Sequence, residues 1–544
     1  MALTSEKIQF TLKLLVHYER QEAGPLSSPF AYSVKLAECG SKHLALYLAV
    51  REAITEGRLA PGERLPSTRK LASLYGLSRG SASVAYEMLT AEGFVQAGIG
   101  QGTFVAGNDV IGGRPDWADS TGTLKKESVP QAAPALTKWA HRLLAAEADR
   151  ESMLPERVAK LSEATVSFVP EGVGSEWFPW SEWKAEVASQ WKLLGETGRV
   201  GLEKEGCHEL RQAIAERLRK ERGIACEARQ VVITSGSMQA IVLLTQLLLE
   251  EGKTAIVENP CYTGIRLAVR ATGARAVAQP VDASGITIDD WDAGLLFVTP
   301  TRHFPTGVVL SYERRRALLT WAARHNAWII EDDYDSDFRW GGRPIEPLKS
   351  LDKEGRVVYV GTFSRSMGAG VRIGYAVLPD ELIVPFSVAK GLYDPHPTGI
   401  AEQQALASWM SGGGYDRYMR RMRRTFGKLE RKLRSGIEEM IGQLFEVVPS
   451  DAGLHLYAKW KLDDNSYELL VKECAARGVM WKDGAVYSCA EEAGNVQPPG
   501  KSAIFGFAHL NETSIDKGVL TIRDAAARLG WLNIDHAQGG TAHA

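Results

Sequence analysis

Cysteine is scarce in this chain: six among 544 residues, at 39, 207, 226, 261, 474 and 489, with no C-x-x-C pair. Neither a disulfide framework nor a zinc site is therefore expected, and the thiols should be reduced. Net charge is nearly absent as well. The 64 Lys and Arg stand against 66 Asp and Glu, a balance of −2, so no global field draws the chain onto nucleic acid or a membrane. Any DNA contact must come from a local patch. No apolar run is long enough to span a bilayer. The opening MALTSEKIQF has no basic start followed by an apolar core, so no signal peptide is expected and a cytoplasmic location is. No internal repeat is visible. What is present is the composition of a globular protein, 44% hydrophobic and 24% charged, in a chain long enough for more than one domain.

Residues 1–40 form an N-terminal extension of unclear structure. Within it IQFTLKLLVHYERQ has the spacing of a short amphipathic helix, which GPLSSPF breaks. Over 41–107 the pattern sharpens. Leu44, Tyr47, Leu48 and Ile54 recur at helical spacing, then Gly57, Pro61 and Gly62 turn the chain. Ser67 can cap a helix TRKLASLY, Gly76 permits a tight turn, and Ser78 can cap a further helix whose Ala85, Met88 and Leu89 face inward. FVQAGIGQGTFVA has two short strands around a Gly-rich tip. Helix, helix, turn, helix and β-wing is the order of a winged helix-turn-helix. Ser78, Arg79 and Ser81 sit at the start of the helix that would enter a major groove. Arg64, Ser67 and Arg69 fall where a preceding helix would cross phosphates, and Gln101 on the wing could approach the backbone. The segment carries seven Lys/Arg against five Asp/Glu, so charge alone would not single it out. A small helical bundle with a solvated face is the plain alternative. The spacing together with the Gly-rich tip speaks against it.

Residues 108–150, rich in Gly, Pro, Ser and Asp at their start, are expected to be a linker, with a helical segment near Leu136–Ala146. From about 151 to 535 a large α/β domain is expected, followed by a tail, 536–544. Its short apolar runs are VVIT (231–234), TAIVE (254–258), GLLFVTP (294–300), AWIIEDDY (327–334), VVYVGTFS (357–364) and IGYAVLP (373–379), and helical stretches separate several of them. Such strands predict a mainly parallel sheet covered on both faces. TSGSMQAI, ENPCYTG and EDDYDSDF lie at strand ends, where ligands bind in open α/β sheets. Asp333, Asp335 and Asp337 alternate as in a calcium loop, but that loop's Gly and distal Glu are missing, so no metal site is expected. RYMRRMRR (417–424) is a basic helix, more simply a solvated face than a second DNA contact.

The stretch AITEGRLAPGERLPSTRKLASLYGLSRGSASVAYEMLTAEGFVQAGIGQGTFV resembles the GntR family of bacterial transcription regulators. The later motifs, with GCHELRQAIAERL, FPTGVVLSYERRRALLTWA and FGFAHL, resemble fold type I aminotransferases. The combination, over about 41–535, resembles the MocR subgroup of GntR regulators. The resemblance implies an N-terminal winged helix-turn-helix plus a large α/β, pyridoxal 5′-phosphate-type domain. It implies a homodimer that binds operator DNA and answers to a small-molecule effector, phosphate-bearing or amino-acid-like. Carried over, Asp332 would face the pyridine nitrogen, Tyr334 would bond the ring oxygen and Tyr262 would stack on the ring. Ser237, Ser364, Arg372 and the amides near Gly236 would hold the phosphate.

The chain also departs from the pattern. In TFSRSMGAGVRIGY the position of the imine-forming Lys holds Arg365. A guanidinium stays charged and is no nucleophile, so neither covalent attachment nor the usual general base is available there. Ile504 stands where an Arg usually binds the substrate carboxylate, and RVGLEKEGC lacks a Tyr that relatives use toward the partner's phosphate. Met238, Arg302 and His303 also differ from the common pattern. No catalytic residue and no transamination are therefore expected. The cofactor is expected to be held non-covalently at Arg365, or to be absent. An aminotransferase carrying a DNA-binding appendage, and a constitutive regulator with a ligand-free scaffold, are the alternatives.

Overall fold

The computed structural model describes residues 30–98, 101–106, 136–152, 165–197, 203–335, 337–340, 345–489 and 500–532. They fall in two compact units that divide between Ala133 and Pro134. The amphipathic stretch near 8–21, most of the expected linker, the segment 198–202 and the C-terminal tail lie outside the described residues. Among the described residues no helix is long and apolar enough to cross a membrane.

The first unit has helices Tyr32–Cys39, Lys42–Thr55, Thr68–Tyr75 and Arg79–Ala91, then a hairpin of β1 (Val95–Gly98) and β2 (Gly102–Val105). Local chemistry sets the boundaries. Ser67 Oγ accepts the Lys70 N–H and Ser78 Oγ accepts the Ser81 N–H, each capping a helix start. Gly76 ends Thr68–Tyr75 at φ 61°, a left-handed turn that a side chain would resist. Ala45, Leu46, Val50, Leu71, Ala82, Ala85 and Leu89 meet in one core. Two expectations need correction. The extension does not run to residue 40, because Phe30 and Tyr32 lie in this core and helix Tyr32–Cys39 packs along Lys42–Thr55. The second concerns Arg64, which lies outside helix Thr68–Tyr75 and forms a bridge with Phe104, so that it belongs structurally to the wing.

The second unit starts with helix Lys138–Ser152, which packs on helix Thr263–Thr272. Arg142 Nε donates to Ala271 O at 3.1 Å. The linker therefore does not extend to residue 150. Strand β3 (Val166–Phe168) belongs to a five-stranded sheet with β12 (Phe445–Val447), β13 (His455–Trp460), β14 (Val479–Asp483) and β15 (Ser502–Gly506). The central sheet has eight strands: β4 (Val231–Thr234), β5 (Thr254–Asn259), β6 (Arg275–Asp282), β7 (Gly285–Ile286), β8 (Leu295–Val298), β9 (Trp328–Asp333), β10 (Val357–Thr362) and β11 (Gly374–Val377). Their order is β4-β11-β10-β9-β8-β5-β6-β7. The run β10-β9-β8-β5-β6 is parallel, and β11 is antiparallel to both its neighbours. Strands such as β4 and β8 are buried on both faces, which is why they appear as unbroken apolar runs. The parallel register brings the ends of β8, β9 and β10 to one edge, together with the end of β4 and the start of β11. Helix Gly414–Ile441 buries a stripe through Tyr418, Met422, Phe426, Leu433 and Ile437, while Arg417, Arg420, Arg421 and Arg424 are exposed.

Candidate functional site

At that sheet edge lies a cavity of ≈ 190 Å³ lined by Gly236, Ser237, Tyr262, Asp332, Tyr334, Ser364, Arg365 and Arg372, with Met238, Phe304 and Thr362. All seven residues predicted for cofactor contact are thus brought together. One corner is shaped for an anion. Gly236 caps helix Ser237–Leu248 at φ 82°, leaving the first-turn N–H groups of that helix without intrahelical acceptors. Gly374 of β11 passes so close that a Cβ on it would lie 2.5 Å from Gly236 C and 2.8 Å from Ser237 N. Arg372 Nη2 donates to Ser235 O at 3.0 Å and is exposed on its other side. Ser364 Oγ is buried and has no partner.

The floor is set by β9. Its alternation points Glu331 and Asp333 one way and Asp332 the other. Glu331 accepts from the N–H groups of Leu348 and Lys349. Asp333 accepts from Arg222 at 2.7 Å and from Tyr359 Oη at 2.5 Å. Asp332 lines the cavity, and its Oδ1 has no partner. Burial, with Asp333 beside it, pushes its carboxyl up to about 7, partly opposed by Arg365. Tyr334 Oη accepts from Arg302 Nη1 at 2.7 Å, which leaves its own O–H to donate. Tyr262 meets Phe304 edge-on at 5.8 Å, and Phe304 meets Tyr334 the same way at 5.4 Å.

Arg365 sits on the short helix Ser364–Met367, with its guanidinium 6.0 Å from the Tyr334 ring centre. It makes no hydrogen bond or ion pair with any described residue.

Sequence reasoning missed Phe304 and underrated Arg302. Arg302 also donates to Asp335 at 3.0 Å and to His455 O at 2.8 Å. It is the buried hub beneath Tyr334. His303 lies 3.6 Å from Glu258. Burial lowers His303 to about 3 and raises Glu258 to about 8, so at neutral pH both are uncharged and their contact is not an ion pair. The signal for this shell was TPTRHFPTG, placed directly after a buried strand. In the first unit Ser67 and Ser78 serve as helix caps, and Ser81 Oγ lies 2.9 Å from Ser78 Oγ. Arg64, Arg69, Arg79 and Gln101 are exposed, with Arg64 folded over Gly102 of the wing.

Residues 42–105 match the gntR family of bacterial regulatory proteins, and 179–502 match aminotransferase class I and II. A probable rhizopine catabolism regulatory protein, MocR of Rhizobium meliloti, is 32% identical over 91% of this chain and 96% of its own. The chain belongs to the MocR subgroup of the GntR family. This MocR-type chain is also 28% identical to the pyridoxine biosynthesis transcriptional regulator PdxR of Corynebacterium glutamicum, over 88% of this chain and 94% of PdxR. Its second unit shares its fold with solved aminotransferases. The kynurenine aminotransferase of Pyrococcus horikoshii superposes with a TM-score of 0.62 at 21% identity, over 69% of this chain and 94% of that one. The α-aminoadipate aminotransferase LysN of Thermus thermophilus gives 0.61 at 24%, over 72% and 97%. The winged helix-turn-helix joined to a fold type I domain, expected from sequence, is the architecture found.

Proposed function

We propose that this MocR-type chain is a DNA-binding transcription regulator whose second unit senses a phosphate-bearing ligand without covalent attachment and without transamination. The reading rests on one observation above all. Asp332 Oδ1 and Ser364 Oγ are buried polar atoms without partners in a pocket whose cations are arginines. A buried polar atom costs ~1–3 kcal/mol when unpaired, a cost that a bound ligand removes.

The cofactor implied by the fold is pyridoxal 5′-phosphate, and these residues fit it. Ser237, Ser364, Arg372 and the first-turn amides would hold the phosphate, Asp332 would face the ring nitrogen, and Tyr334 would donate to the ring oxygen. When bound in an enzyme, the ring supplies an electron sink. Here Arg365 takes the place of a reactive amine, and no lysine is among the described residues that line the cavity. A guanidinium holds its proton, so it neither bonds to a carbonyl nor shuttles a proton.

In the first unit Arg79, at the start of the recognition helix, would read base edges, with Arg69 and the wing on phosphates. A homodimer would present two such helices to paired half-sites, and ligand would favour one arrangement over another. Titration of the full chain with pyridoxal 5′-phosphate tests this, following absorbance and bound fraction together and treating the complex with borohydride. Saturable binding that borohydride does not fix is expected. A borohydride-fixed adduct would mean that another lysine acts and that the chain is an enzyme. No binding would leave a scaffold.

A further inference from the structure

Arg365 is the cation on the pocket wall whose donors have no acceptor among the described residues. Arg372, by contrast, already bonds Ser235 O. The Tyr334 ring at 6.0 Å offers Arg365 only a weak cation–π contact. Asp332, on the same wall, is not within ion-pair distance of it. Arg365 is part-exposed, and a guanidinium facing a pocket is matched best by a planar anion that takes two of its N–H donors. Ile504, where an arginine for the substrate carboxylate would stand by resemblance, is fully buried and apolar. Nothing at that position competes for a carboxylate.

Building on the proposed non-covalent phosphate pocket, we infer that Arg365 selects an anionic ligand: a phosphorylated pyridine ring bearing a carboxylate in place of the aldehyde. The ring and phosphate are held as above. The carboxylate completes the donors of Arg365. An ammonium at the same position, as in pyridoxamine 5′-phosphate, meets a fixed positive charge instead. The site is thus a reader of the oxidation and charge state of one ring substituent. It takes the product of an oxidation of the aldehyde and rejects the aminated form. A phosphopyridoxyl–amino acid conjugate also carries a carboxylate, but on a flexible arm rather than on the ring itself.

Four probes separate these outcomes, each titrated into the full chain by calorimetry. They are 4-pyridoxic acid 5′-phosphate, pyridoxal 5′-phosphate, pyridoxamine 5′-phosphate and N-(5′-phosphopyridoxyl)-L-leucine. The carboxylate form should bind about tenfold or more tighter than the aldehyde, and the aminated form should be weakest. Arg365→Gln should erase that ranking, whereas Arg372→Gln should weaken all forms alike. Equal binding of the carboxylate and aminated forms, tightest binding of the leucine conjugate, or a ranking that survives Arg365→Gln would overturn the inference and leave the phosphate pocket standing. Binding by none of them would overturn the pocket itself. The wild-type ranking needs no variant, so a misfolded substitution does not decide the outcome.

Discussion

Replace Arg302 by Leu. The substitution keeps an apolar stem and removes a guanidinium that donates to Tyr334 Oη at 2.7 Å, Asp335 Oδ2 at 3.0 Å and His455 O at 2.8 Å. Both members of the Arg302–Asp335 pair have side chains only 2% exposed. Asp335 is left as a buried carboxylate whose other oxygen, Oδ1, already has no partner. Removing one side of a buried pair costs ~3–5 kcal/mol. Asp335 can escape part of that by taking a proton, since burial already pushes its pKa up against the pull of Arg302. In the variant the folded value rises further above the unfolded one. The loss should therefore be smallest in acid and grow by up to about 1.4 kcal/mol per pH unit, until the pH passes the value Asp335 adopts. Arg302→Leu/Asp335→Leu should recover most of it, because an apolar pair leaves no unpaired charge. Denaturant unfolding followed by tryptophan fluorescence at pH 5.5 and 7.5 measures this. Thirteen of the 14 tryptophans lie in the second unit, so the signal reports mainly that unit. A loss below about 1 kcal/mol at both pH values, or a double variant as unstable as the single one, would refute the role given to the pair.

Gly374→Ala sets a methyl 2.5 Å from the Gly236 backbone, which cannot give way as a side-chain tip would. A cost of ~1–3 kcal/mol and loss of phosphate-ligand binding should follow, measured by melting and calorimetry. Arg365→Lys should gain a borohydride-fixable bond to pyridoxal 5′-phosphate that the wild type lacks. If the lysine variant still binds only reversibly, residue 365 does not reach the aldehyde. Arg79→Ala should cost ~1–3 kcal/mol of operator binding and relax specificity in a mobility-shift assay, and unchanged discrimination would move the recognition helix elsewhere. Stability without ligand should fall from pH 6.5 to 8. Glu258, Glu331 and Asp332 are raised to about 8, 7 and 7 by burial, so the folded state holds protons that the unfolded state has released. His303 and His455, lowered by burial, act oppositely only below their usual value. A flat profile over that window, read by thermal melts, would show those carboxyls ionised.

The reader domain was legible in sequence because local chemistry writes its boundaries: Ser67 and Ser78 bond amides three residues on, and Gly76 needs its left-handed turn. Helix Tyr32–Cys39 was not read from the sequence, since it is only eight residues long and Tyr32, Leu36 and Cys39, which pack on the core, make too short a stripe to stand out. In the sheet the doubly buried strands stood out as apolar runs. Strand β6 did not, because RAVAQPVD alternates polar with apolar residues and carries Pro280 at the edge of the parallel set. The seven pocket residues were found at strand ends, as topology predicts. Arg302 stood out in sequence only as a departure from the common pattern, because its partners come from 33 and 153 residues away, a distance that no local pattern bridges.

Three consecutive carboxylates at the end of β9 bear on whether the pocket is a relic. Glu331 is fixed by two backbone amides of the neighbouring helix, and Asp333 by Arg222 and Tyr359. Both serve the fold, and their partners account for their burial. Asp332, between them, points to the opposite face and has no such set. No hydrogen bond to another described side chain accounts for its burial. It bears desolvation, repulsion from Asp333 and an unpaired oxygen, and an Asn or Leu would avoid the charge altogether. A buried, unpaired carboxylate of this kind is accounted for by a bound cationic group, and under the proposed function that group would be a ring nitrogen. Arg365 differs: it is part-exposed, so solvent can serve its donors, and the proposed anion would act by specificity rather than by relieving a buried charge.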